Sequence, residues 1–140
     1  MIPRQPTTSA LRAMVAAVTG FPTGSGEIPR VGAGLAPRPY LILYSLPGVG
    51  RSGPPFGDAA ADAVWSYQLT AVGDREDQAR ALLDRAMGAV LERTGDDWVN
   101  ALVVPGANIT ARVSTGDGGG DAEGGILTAA ETFALHVTPS

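Results

Sequence analysis

Residues 38–91 read RPYLILYSLPGVGRSGPPFGDAAADAVWSYQLTAVGDREDQARALLDRAMGAVL, and this stretch decides the fold. Pro39–Tyr44 is a continuous apolar run, the pattern of a strand covered on both faces. Ala63–Val72 alternates instead. Trp65, Tyr67 and Leu69 fall on one side and Ser66, Gln68 and Thr70 on the other, which predicts a half-buried strand with a polar face turned to solvent or to another subunit. Gly73 breaks that strand. From Asp74 a helix follows, with Ala79, Leu82, Leu83, Ala86, Met87 and Val90 as its apolar stripe and Gly95 as its expected stop. Asp74 is the expected cap. Glu76 and Asp77 suit the positive N-terminal end, and Arg93 the C-terminal end. Glu76 and Arg80 are spaced as an i,i+4 pair. Between the two strands, Leu46–Ala61 predicts a Gly/Pro-rich loop of sixteen residues where a tight turn would suffice. Loops of that length in a compact domain are functional or disordered.

Working outward, Thr7, Thr8 and Ser9 offer caps for an N-terminal helix after an extended 1–6 segment. Leu11, Met14, Val15 and Val18 share one face of it, and Gly20 and Pro22 end it. Residues 21–37 form a second extended segment without periodicity, anchored by Ile28 and Val31. Beyond the second helix, Trp98–Val104 leads to a Pro105–Gly106 turn. Ile109–Thr115 is a strand, 116–125 (GDGGGDAEGG) a glycine loop, and Thr128–Thr138 the closing strand. The order is α-β-β-α-β-β. It predicts one α+β domain over residues 1–140, a mainly antiparallel four- to five-stranded sheet with two helices packed on one face.

Composition narrows the function. The chain has 140 residues and 44% hydrophobic content, enough for a real core. Its net charge of −4 argues against tight binding to a nucleic-acid backbone. All ten cations are Arg, which we read as a GC-rich coding bias that the base composition of the gene would test. With no Cys there is neither disulfide nor thiolate chemistry. No stretch is long and apolar enough to span a bilayer, and none reads as a signal peptide, so the expected site of synthesis and residence is the cytoplasm.

The chemical motifs are weak. Gly48, Gly50 and Gly53 spell G-x-G-x-x-G, but Pro54 and Pro55 follow where a dinucleotide site needs a helix. Asp117, Asp121 and Glu123 offer oxygen ligands for calcium, in a spacing that fits no calcium loop; a solvated hairpin loop is the plainer expectation. His136 is the only histidine and lacks partners for a triad or a zinc site, so it reads as a surface or interface residue. Asn108-Ile109-Thr110 matches a glycosylation sequon without a secretory signal to give it meaning. Trp65, Tyr67, Trp98 and Phe133 read as core rather than base-stacking aromatics. Asp58 and Asp62 flank an Ala run and read as a solvated loop end rather than an acid–base pair. No catalytic residue, metal site or cofactor is expected.

Three motifs together carry a resemblance. Pro39–Tyr44 leads into a loop ending in Gly53–Asp58 (GPPFGD). Trp65–Gly73 (WSYQLTAVG) follows, then a helix opening on Asp77–Ala79. The chain resembles the tail terminator proteins of long-tailed actinobacteriophages over residues 38–91, and more weakly over the closing strand ETFALHVTP. The resemblance implies a non-enzymatic virion protein at the tail–neck junction. Such proteins form a ring, typically of six subunits, that caps the tail tube, ends its polymerisation and joins tail to head. Partners would be copies of itself, the tail tube protein and the head–neck connector proteins, with genomic DNA passing through unspecifically and no membrane involved. A head-completion or neck connector protein is the nearest alternative; a small non-viral ligand-binding α+β domain is the more distant one. Candidate interface residues are Arg51, Pro54, Pro55, Phe56 and Asp58 in the long loop, and Ser66, Gln68 and Thr70 on the polar strand face. The 116–125 loop is a further candidate surface.

Overall fold

A computed structural model describes the backbone of residues 4–52, 62–123 and 125–139, and the side chains of residues 4–46, 63–116 and 125–139. Its elements in order are α1 (Gln5–Thr19), β1 (Thr23–Ser25), β2 (Arg30–Val31), β3 (Gly34–Leu35), β4 (Tyr40–Ser52), β5 (Asp62–Gly73), α2 (Glu76–Leu91), β6 (Arg93–Thr94), β7 (Asp97–Trp98), β8 (Ala107–Glu123) and β9 (Ile126–Pro139). Five strands make one sheet in the order β1-β4-β5-β9-β8. All its pairings are antiparallel except β1 with β4. The expected α+β architecture is the one observed. The fifth strand comes from β1, inside a segment where no periodicity marks it.

Both helices pack on one face of the sheet. Leu11 and Val15 of α1 and Leu82, Leu83, Ala86 and Val90 of α2 share a core with Leu41, Leu43, Trp65, Tyr67, Leu69, Phe133 and Leu135. The sheet contributes alternate residues, as the pleat requires. Tyr67 and Phe133 face each other across β5 and β9 with ring centroids 5.7 Å apart. Tyr40 and Ile42 on the other face are also buried, so the apolar run of β4 is buried on both faces as expected, although neither helix packs on that second side.

The helix ends differ from expectation. α1 starts earlier, at Gln5, with a proline in its first turn. Thr7 and Thr8 therefore sit inside it, buried, and not at its cap. Gly20 closes it in the left-handed region, φ 77°, as a C-terminal glycine should. Val18, expected on the apolar face, is 43% exposed. α2 spans sixteen residues, roughly 24 Å, enough to cross this sheet. Its cap position is Arg75 and not Asp74, whose carboxylate instead pairs with Arg38 at 2.8 Å. Its end is Glu92 and not Gly95, which lies in the β6–β7 turn at φ 62°.

Two stretches expected as loops are strand. β4 continues through Pro47, Gly48 and Gly50 to Ser52, so the expected 46–61 loop loses its first seven residues to the sheet. The 116–125 stretch is mostly the second half of β8, paired with β9 through register shifts at Ser114/Gly116 and Asp117/Gly119 up to Glu123 opposite Ile126. In both cases a long partner strand supplied the pairing that overrode poor strand composition. Ile28 and Val31, expected as anchors, are 37% and 56% exposed.

Candidate functional site: the uncovered face of the sheet and its stitched bulge

Ser66, Gln68 and Thr70 fall on the face of β5 away from the helices, each half-buried. Register places Gln68 between Tyr44 and Thr132, and Thr70 between Ile42 and Ala130. The face is therefore a mixture. Tyr40, Ile42, Val72, Ala130 and Ala134 form an apolar floor, each below a tenth exposed, and the amide and hydroxyls stand among them. Gln68 donates to the Thr70 hydroxyl at 3.0 Å. His136 is exposed on the same face, opposite Ala111, while the hydroxyl of Thr110 donates to its backbone carbonyl. This is the surface position expected of His136.

One end of this face is shaped by a bulge. Ser45 opposes Tyr67 and Val49 opposes Trp65, so β4 advances four residues while β5 advances two. Bulges re-aim a strand and leave backbone groups unpaired. Arg4 takes up that slack. Its guanidinium donates to the carbonyl of Leu46 at 3.1 Å and to the carbonyl of Ser66, and lies 4.6 Å from the centroid of the Tyr67 ring. The Tyr67 hydroxyl in turn meets Thr8 of α1 at 2.9 Å. The start of α1 is thus tied to the bulge through a cation, a ring and a hydroxyl. No sequence pattern announced this use of Arg4, because a charge beside a helix start reads as solvated.

A second stacked arginine closes the far end of α2. Arg112 of β8 is 6% exposed and donates to the Val90 carbonyl at 3.1 Å. A cation beside the C-terminal carbonyls is placed where the helix dipole favours it. Burial lowers its pKa from the ordinary arginine value. Trp98 lies between Arg112 and Arg93, 4.8 and 4.7 Å from its ring centroid. Arg93 lies just past the C-terminal end of α2, where it was expected, and stacks there on Trp98. Trp98 is half-buried in this sandwich, whereas Trp65, Tyr67 and Phe133 are core.

The other sequence candidates separate. Arg51 lies in the β4 backbone opposite Ala63. Pro54, Pro55, Phe56 and Asp58 lie outside the described residues, as does Gly53. Gly48 and Gly50 sit in a strand, and the described helices begin at Gln5 and Glu76, so no helix opens on a phosphate there. Asp117, Asp121 and Glu123 belong to β8, not to a loop. Asp62 begins β5 opposite Ser52. Among the described residues, no group of three His, Asp or Glu stands close enough to hold a metal, and no helix is long and apolar enough to cross a membrane.

No family model matches this chain, and no curated protein does. Among solved structures, the fold is similar to a chain from the virion of a native gene transfer agent particle. The TM-score is 0.61 at 17% identity, over 94% of this chain and 91% of that one. At that identity the likeness is one of fold.

Proposed function

We propose that this chain is a structural virion protein of a phage-like particle, and within it a tail terminator. It closes into a ring of about six subunits on the end of the tail tube, stops tube growth and presents the surface to which the head connector binds. Genomic DNA passes through the ring without specific recognition, which an acidic chain favours by repelling the backbone. The reading rests first on the near full-length fold similarity to a virion chain. It agrees with the sequence likeness over residues 38–91. In this reading the protein works by shape and association, has no catalytic centre and needs no cofactor. Ser66, Gln68 and Thr70 belong to a contact surface with a neighbouring subunit or the tube protein. Arg51, Pro54, Pro55, Phe56 and Asp58 are the further contact residues of this reading.

The test is microscopy of particles assembled with and without the protein. With it, labelled chain forms a collar between tube and head. Without it, tails overgrow and stay headless. Tails of normal length that merely fail to join heads would move the protein to the neck connector role. Normal joined tails in its absence would overturn the proposal.

A further inference from the structure

A head-to-tail ring needs two different surfaces that fit each other. The fold offers two exposed apolar corners that qualify. One is the β2–β3 hairpin, which follows edge strand β1 near the start of β4. It exposes Ile28 by 37%, Val31 by 56% and Leu35 by 58%. The hairpin is held by its own antiparallel pairing and by the Ala36 amide, which donates to the Pro29 carbonyl at 2.8 Å. A groove of about 460 Å³ lies beside it, lined in part by Ile28, Leu35, Ala36 and Tyr40. The other corner is the segment between α2 and edge strand β8. It exposes Val99 by 47% and Val103 by 81%. It too is fixed in place, since Asn100 donates to the Ala89 carbonyl at 3.0 Å and the Val99 amide to the Glu92 carbonyl at 3.0 Å.

The corners lie on opposite edges of the sheet and at opposite ends of its strands. β1 and β8 are the two outer strands. Tyr40 at the first corner is level with Val72 and Thr128, while Ala107 at the second is level with Pro139. Two valines or leucines left in water on a fixed backbone mark a contact surface more than isolated exposed residues do.

Charge says what the partner of each corner is. The hairpin Arg30–Leu35 carries one charge, the exposed cation of Arg30; around it the corner holds exposed Glu27 before Ile28 and the Arg38–Asp74 ion pair, 2.8 Å, at the groove. Residues 92–104 carry exposed Glu92, Asp96 and Asp97 against Arg93, or one positive and three negative charges, net −2. Arg93 is moreover drawn back over Trp98 and onto the Asp96 carbonyl at 3.1 Å. An apolar corner with a cation and an apolar corner with spare acids are complementary, and both are present on every copy of the chain.

We propose that the β2–β3 corner of one subunit docks on the 96–103 corner of a second copy of this chain. Val31 and Leu35 meet Val99 and Val103, and Arg30 faces Asp96 and Asp97. The contact is heterologous, so it repeats from copy to copy. The inference rests on the ring reading for closure but not for the contact itself.

The chain has no cysteine, so introduced thiols report cleanly. Val31→Cys with Val103→Cys in one chain, treated with a short bis-maleimide linker, is expected to give a ladder of oligomers. Each single variant alone is expected to give monomer, and a mixture of the two a dimer that grows no further. Leu35→Cys with Val99→Cys repeats the test at different positions. Arg30→Glu should cut the ladder yield about fivefold, and Asp96→Arg with Asp97→Arg in the same chain should restore it. A dimer from either single variant, or no ladder from both double variants while their circular dichroism matches wild type, overturns the inference. Loss of the ladder with a collar still seen in particles would sink the contact alone. A ladder from a protein absent from particles would sink the tail reading alone.

Discussion

The two faces of β5 are made by alternate residues of one twelve-residue strand and do different work. Toward the helices, Trp65 is 3% exposed and Tyr67 and Leu69 are wholly buried. Toward the other side, Ser66, Gln68 and Thr70 are half-buried although neither helix lies over them. Among the described residues, the neighbouring strands β4 and β9 flank them on either side. A face whose floor is apolar and whose projecting groups are hydroxyls and an amide suits a surface that exchanges water for a protein partner. Hydroxyls and an amide can pair across a contact without the cost of burying a charge. The helix-covered face therefore holds the monomer together, and in the proposed function the opposite face is the one offered to a partner.

The largest effect should come from breaking the covered face. Phe133→Ala removes a fully buried ring that stacks on Tyr67, and about 3–5 kcal/mol of stability should be lost. Denaturant unfolding reads this directly, and a loss under about 1 kcal/mol would contradict the packing described. Arg4→Ala comes next. It removes two charge-assisted hydrogen bonds to carbonyls at the bulge and a cation over the Tyr67 ring. About 1.5–3 kcal/mol should go, with faster amide exchange at Ser66 and Leu46 before exchange rises elsewhere. Uniform exchange across the sheet would show that Arg4 does not stitch the bulge. Gly20→Ala forces a side chain into the left-handed region at the end of α1, at about 1 kcal/mol, measured by thermal unfolding.

These three sites also show where sequence is legible. The alternation in β5 and the stripe of α2 were plain because hydrophobic period follows burial directly. Trp65, Tyr67, Leu82, Leu83 and Phe133 are core as their positions implied. The Gly-rich halves of β4 and β8 were not legible, since a strand with poor propensity is held by its partner, and pairing is not a local property. β1 was hidden for another reason. Its Gly24 is required by the close approach of the Glu27 carbonyl, 2.0 Å from where a Cβ would stand, so the residue that makes the strand possible reads as a breaker. Arg4 and Arg112 were missed because a lone arginine reads as solvated, and only the fold supplies the carbonyl and ring that each one meets. The uncovered polar face, by contrast, was visible in the letters S-x-Q-x-T, though not its apolar floor.

The smallest effect on stability sharpens the comparison most. Thr70→Ala, Gln68→Ala and Ser66→Ala each remove a half-buried polar group from the face away from the helices, and Gln68 donates to the Thr70 hydroxyl. Removing both partners of such a pair leaves little unsatisfied, so the double variant should unfold within about 0.5 kcal/mol of wild type. If the face is a subunit or tube contact, the same change should be felt in assembly, with fewer particles carrying a joined tail by electron microscopy. Stability and assembly would then separate along a single strand, even residues governing one and odd residues the other. A double variant that loses several kcal/mol, yet assembles normally whenever it is folded, would mean that the uncovered face belongs to the monomer's own core, and that the contact surface lies only at the apolar corners.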